Sequence, residues 1–187
     1  MKLTAQTFKT LQKGFTLIEL LVVIAVIGIL ATIVLLAVNP AEQLARGRDA
    51  NRIAAVTQLG RSLQAYYTAN GSAYPTQGSS WLNTLTSSGD VKLLPVNPTY
   101  GTIVLPTSVC TPASAQGGTQ AGYCYKTAAS EAIVYQRLES GLYNTTKCTV
   151  ANTAAYWVFS TANAQAGLVC VAAGATEPSS GLQTFTP

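Results

Sequence analysis

The sequence predicts an α+β fold: a long N-terminal helix, transmembrane in its first half, and a small head with an antiparallel sheet. Three observations carry this. Residues 20–38 hold no charged side chain and are almost all aliphatic; residues 41–71 repeat apolar side chains at helical spacing; and residues 102–172 contain short β-branched and aromatic runs punctuated by Gly, Asn, Ser and Pro.

The apolar run comes first. At 1.5 Å rise per residue its helix is roughly 28 Å long, enough to cross the hydrocarbon core of a bilayer. Lys2, Lys9 and Lys13 precede it and no acid accompanies them, which favours retaining this end in the cytoplasm and sending the rest outward. Arg46, Arg48 and Arg52 beyond the span oppose that signal, with Glu42 and Asp49 among them. A secretory signal would have a shorter apolar core and a small-residue cleavage site after it. Here the odd residues stand before the core, at Lys13-Gly14-Phe15, and an acid, Glu19, lies at its edge.

Pro40 lacks an amide donor and would clash with the carbonyl of Leu36, so the helix is expected to be disturbed there, with Gly28 and Asn39 as further weak points. Beyond it Ile53, Val56, Leu59, Leu63 and Tyr66 or Tyr67 form an apolar face, with Arg52, Gln58, Arg61 and Gln64 between them. Asn70-Gly71 supplies the stop. Glu42 with Arg46 and Asp49 with Arg52 stand at i,i+4 and i,i+3, each pair worth a few tenths of a kcal/mol on a solvated helix face; neither pair is assigned as a site. The organisation expected is therefore a leader over 1–14, a transmembrane helix over 15–39, an amphipathic continuation over 40–71 and a head over 72–187.

Within the head, 81–85 reads as a short helix, and 102–105, 123–127, 132–138, 155–160 and 168–172 as strands. The polar tail, 174–187, is expected to fray. Four cysteines, Cys110, Cys124, Cys148 and Cys170, lie in the head, without a C-x-x-C pair and without any histidine in the chain, which argues against zinc. An even count beyond a membrane segment suits two disulfides in an oxidising compartment. Four cysteines allow three connectivities; the sequential one, Cys110 with Cys124 and Cys148 with Cys170, closes the shortest loops.

The leader, Gly14, Phe15-Thr16-Leu17-Ile18-Glu19 and the aliphatic helix together resemble the type IV pilin and pseudopilin family over Gly14 to about Leu36. The resemblance implies a pilin-like fold, with the distal half of the long helix packed on the sheet. It also implies that a membrane-embedded prepilin peptidase cuts between Gly14 and Phe15 and methylates the new Phe15 amine. The cut falls on the cytoplasmic side of the helix, so the anchor is kept while the leader is lost. Asn70-Gly71-Ser72-Ala73-Tyr74-Pro75 resembles the family's turn out of the long helix, where Tyr74 would pack under the loop.

For Glu19 the resemblance implies a role in filament assembly, its carboxylate offsetting the N-terminal amine of a neighbouring subunit. Two opposite charges 4 Å apart gain about 4 kcal/mol at an effective dielectric near 20. Residue types alone support a second role: Thr16-x-x-Glu19 fits a capping box, in which Glu19 satisfies free helix-end amides, or the side chain reaches the nearby interface. The two roles are compatible at different stages.

The remaining composition excludes much chemistry. The chain carries 11 basic and 7 acidic residues, but three lysines lie in the leader, so a chain starting at Phe15 is nearly neutral; this argues against nucleic acid as a partner. No histidine can serve as a base, and the head's acids are only Asp90, Glu131, Glu139 and Glu177, of which Glu131 and Glu139 are separated by a strand. Gly117-Gly118 does not form a phosphate-binding loop. A non-enzyme without cofactor is expected. The resemblance implies as partners copies of itself, the prepilin peptidase/N-methyltransferase, assembly-platform proteins and membrane lipid. The resemblance further implies a chain that starts as a single-pass protein of the inner membrane with its head outside, and ends in an extracellular pilus or a periplasmic pseudopilus. Three roles fit: a pilus subunit, the major pseudopilin of a type II secretion system, and a membrane-anchored minor pilin binding DNA or surfaces. The scarcity of acids for a calcium loop and the two disulfides favour the first.

Overall fold

The computed structural model describes residues 14–96, 99–101, 110, 122–128, 130–149, 154–172 and 177–187. Contacts divide the chain into two units, one reaching to Pro40 and one running from Ala41 to Pro187. The leader before Gly14, the strand expected over 102–105 and the turn at Gly117-Gly118 lie outside the described residues.

In the first unit, helix α1 covers Leu17–Ala37. Nearly every side chain is apolar, and those described are exposed on all sides, from Leu17 to Val38. A helix apolar all round needs lipid or other protein about it. Gly28 does not interrupt it; the Thr32 hydroxyl donates to the Gly28 carbonyl at 2.9 Å, so even this polar group is satisfied within the helix. The break comes at Val38 and Asn39. Pro40 opens the next helix as its first residue, where a missing amide costs nothing, and it disfavours helical backbone at the residue before it.

In the second unit, helix α2 (Pro40–Ala69) buries Ala55, Val56, Leu59 and Leu63 against the sheet together with Trp81, Leu82 and Leu85 of helix α3 (Trp81–Ser87). These are the side chains whose three- and four-residue spacing marks the helix in the sequence. Gly60 belongs to the same face: a Cβ there would run into the Phe159 ring, so glycine lets the helix lie close on the strand. Helix α2 ends with the Ser72 amide bonded to the Tyr67 carbonyl at 3.0 Å and Gly71 at φ +65°, a Schellman-like stop that glycine adopts without strain.

The sheet is a four-stranded antiparallel meander in the order β1 (Cys124–Ala128), β2 (Glu131–Arg137), β3 (Ala154–Ser160), β4 (Gln165–Val171). Val134 lies opposite Phe159 and Tyr125, and Tyr135 opposite Val158 and Cys124. The first set faces α2 and α3. The second set joins Ile133, Tyr156 and Val171 in another cluster, with Tyr100 and Phe185 against it. Both faces are thus covered, which explains why β2 is a run of buried residues rather than an alternating strand.

Covering the second face corrects the expectation of a fraying tail. Residues 177–187 are held: the Thr186 amide bonds the Leu168 carbonyl at 2.7 Å beside β4, Phe185 lies over Gly167, and Lys126 pairs with Glu177 at 2.8 Å. The polar composition hid one aromatic anchor and several specific hydrogen bonds.

Candidate functional site

The Gly14–Phe15 bond precedes the first helical turn, and both residues are exposed. Thr16 has extended backbone (φ −79°, ψ 152°) and caps α1. Its hydroxyl accepts the Glu19 amide at 3.3 Å. In return Glu19 Oε2 accepts the Thr16 amide at 2.8 Å and the Thr16 hydroxyl at 2.7 Å. This is the reciprocal capping box that Thr16-x-x-Glu19 suggests. It holds the acidic side chain at the positive end of the helix. The box begins one residue after Phe15, so removal of the leader would leave it intact. Helix α1 from Leu17 to Leu35 is long and apolar enough to cross a membrane.

Within the second unit, the expectation of a solvated ion pair on α2 is corrected. Asp49 and Arg52 are both fully buried, with Arg52 Nη1 donating to Asp49 Oδ1 at 2.9 Å. Asp49 also accepts the amides of Glu139 (2.9 Å) and Ser140 (2.8 Å). Two turns earlier, Glu42 accepts the amides of Gly141 (3.0 Å) and Leu142 (3.2 Å). Two carboxylates seven residues apart on one helix face therefore take four consecutive amides, those of residues 139–142, at the entrance to a short wide helical turn over Leu142–Lys147.

Glu139 completes the network: its carboxylate pairs with Arg48 Nε, lies 3.6 Å from Arg52 Nη2, and accepts the Gly101 amide at 3.0 Å. The Arg52 guanidinium sits 3.9 Å from the centre of the Tyr100 ring. Each buried charge thus faces an opposite one, the condition under which burial is tolerated. Burial raises the Tyr100 hydroxyl well above its usual pKa, and the hydroxyl donates to the Arg137 carbonyl at 2.8 Å. The amide of Gly141 above all holds the Glu42 carboxyl below its ordinary range. The seven-residue spacing of Glu42 and Asp49 is the one sequence signal that could have flagged this seam.

The structure joins Cys110 to Cys124 and Cys148 to Cys170, each with Cα atoms 5.5 Å apart. The first ties the segment before β1 to that strand, and the second ties the turn after Leu142–Lys147 to β4.

An exposed apolar helix with a capped glutamate at its start, preceded by Gly-Phe, together with a disulfide-bonded α+β head, fits a membrane-anchored protein of the pilin or pseudopilin kind. Residues 9–35 match the family model described as the prokaryotic N-terminal methylation motif, and the chain carries this prepilin-type motif of type IV pilins and pseudopilins. The motif implies processing by prepilin peptidase and assembly into filaments in general; the family is structural. No curated protein and no solved structure matches the chain.

Proposed function

We propose that this chain is the structural subunit of a type IV pilus, without catalytic activity or cofactor. Prepilin peptidase cuts it between Gly14 and Phe15 and methylates Phe15. It waits in the inner membrane with its head outside, then joins a filament by passing α1 from lipid to the α1 helices of other copies. Contacts of one subunit on the next are heterologous and do not close, which is the geometry of a fibre. The observation that carries this reading is α1 itself, apolar on every side and headed by the Thr16–Glu19 box directly after Gly14-Phe15.

In the membrane Glu19 is held by Thr16; on assembly its carboxylate exchanges those bonds for the methylated amine of another subunit, an ion pair in low dielectric. A pilus is favoured over a secretion pseudopilus by the state of the head's acids. Of the head's four acids, Glu139 is engaged by Arg48, Arg52 and the Gly101 amide, and Glu177 by Lys126 and Tyr135; this leaves Asp90 and Glu131 as the remaining carboxylates for a calcium loop of the kind major pseudopilins carry.

Mass spectrometry of the N-terminus of sheared surface filaments tests the proposal. Methylated Phe15 is expected there. An intact leader, or a processed chain absent from surface filaments, overturns it. A Glu19→Ala subunit should be cleaved yet fail to enter filaments; normal assembly of that subunit would remove the role given to the carboxylate.

A further inference from the structure

The turn that ends α2 carries the chain's only Asn-Gly pair, Asn70-Gly71. Both residues are exposed, and nothing lies within 4 Å of where a Gly71 side chain would begin. The capping bonds of the turn go to its neighbours: the Asn70 amide to Tyr66 at 2.9 Å and the Ser72 amide to Tyr67 at 3.0 Å. The Asn70 side-chain nitrogen donates to the Tyr66 carbonyl at 3.0 Å, one exposed bond that water can replace. Without a Cβ on Gly71, its backbone nitrogen is open to approach by that carboxamide.

We propose that Asn70 is a site of spontaneous covalent modification in the folded head. The Gly71 nitrogen, losing its proton, bonds to Asn70 Cγ; the Cγ–Nδ2 bond breaks, and ammonia leaves with that proton. The five-membered succinimide takes up one water and opens at either carbonyl, giving an aspartyl or isoaspartyl residue at position 70. No oxidant or enzyme is needed. The product carries a new negative charge at the C-terminal end of α2, where the helix dipole disfavours it. The isoaspartyl form also lengthens the backbone beside the Tyr67–Tyr74 stack, whose ring centres lie 4.5 Å apart.

Other asparagines supply controls inside the same chain. Asn83 lies in α3 and precedes Thr84, which has a side chain. Asn144 is tied on both sides of its carboxamide, donating to the Leu138 and Ser140 carbonyls at 2.9 and 3.0 Å and accepting the Ala155 amide at 3.1 Å.

The experiment uses the full chain in detergent, aged at neutral pH and digested with trypsin. The fragment between Arg61 and Lys92 contains Asn70 and Asn83, and that between Arg137 and Lys147 contains Asn144. Amide-to-acid exchange and isoaspartate should accumulate several-fold more at Asn70 than at either control. Asn70→Gln, whose longer side chain closes a larger ring, should abolish it at that position, and Gly71→Ala should slow it. Retention of the Asn70 amide in folded chain, while denatured chain converts, overturns the proposal. So does a glycan on Asn70, since Asn70-Gly71-Ser72 also fits an N-glycosylation acceptor.

Discussion

Asp49 Oδ2 accepts the Ser140 amide at 2.8 Å although the two residues are 91 positions apart, and the same carboxylate takes the Glu139 amide and the Arg52 guanidinium. This contact ties the early part of α2, where Ala45 is the one buried apolar residue before Ala55, to the loop after β2.

Asp49→Ala should therefore be severe. It removes the carboxylate 2.9 Å from the buried Arg52 guanidinium and orphans two amides, a loss of about 3–5 kcal/mol. Thermal unfolding of the full chain in detergent, followed by circular dichroism, measures it. An effect within a few tenths of a kcal/mol, the range of an exposed helix pair, would contradict the buried network.

Glu42 makes stability depend on pH in one direction. Its folded pKa is depressed, chiefly by the Gly141 amide, so its contribution is present above the unfolded value near 4.5 and is lost as pH falls through the lower folded value. Glu42→Gln should flatten the stability profile on the acid side of pH 4.5 and leave a smaller difference between acid and neutral pH than the parent shows.

Gly60→Ala should destabilise the head by about 1–3 kcal/mol, because the new methyl meets the Phe159 ring. The double variant Gly60→Ala, Phe159→Leu should lose less than the sum of the two single variants, since both changes act at one contact. Additive losses in chemical denaturation would place the clash elsewhere.

Opening either disulfide should cost about 3 kcal/mol, since the bonded cysteines are 14 and 22 residues apart. Cys148→Ser with Cys170→Ser and the matching pair at Cys110 and Cys124 should show similar drops in unfolding midpoint.

Thr16→Ala separates helix capping from assembly. It removes the hydroxyl that accepts the Glu19 amide, weakening the start of α1 by about 1 kcal/mol, but keeps the carboxylate. Filament yield should stay near the parent level, whereas Glu19→Ala should abolish it; equal loss in both would mean that the carboxylate matters only as a cap.

Much of the fold is legible because local pattern and tertiary environment agree. Val56, Leu59 and Leu63 mark α2 by spacing, Pro40 marks its start, and Val, Ile, Tyr and Trp mark β1 to β4. The Thr16–Glu19 box is legible because it is short-range. What escapes is charge whose partners are distant. Asp49 and Arg52 have the spacing of a surface pair, and only the amides of residues 139 and 140, brought in by the sheet, turn them into a buried junction. Residues 177–187 escape for a related reason: Phe185 is a lone aromatic in a polar stretch, and its seat exists only because Gly167 on β4 has no side chain to fill it.

Helix α1 bears no polar stripe along its length, so it has no preferred heading around its own axis. Its one fixed mark is the carboxylate at its first turn. In the filament proposed above, such a rod would mark height and azimuth only through that one side chain, and the rest of its surface would accept neighbours at any rotation.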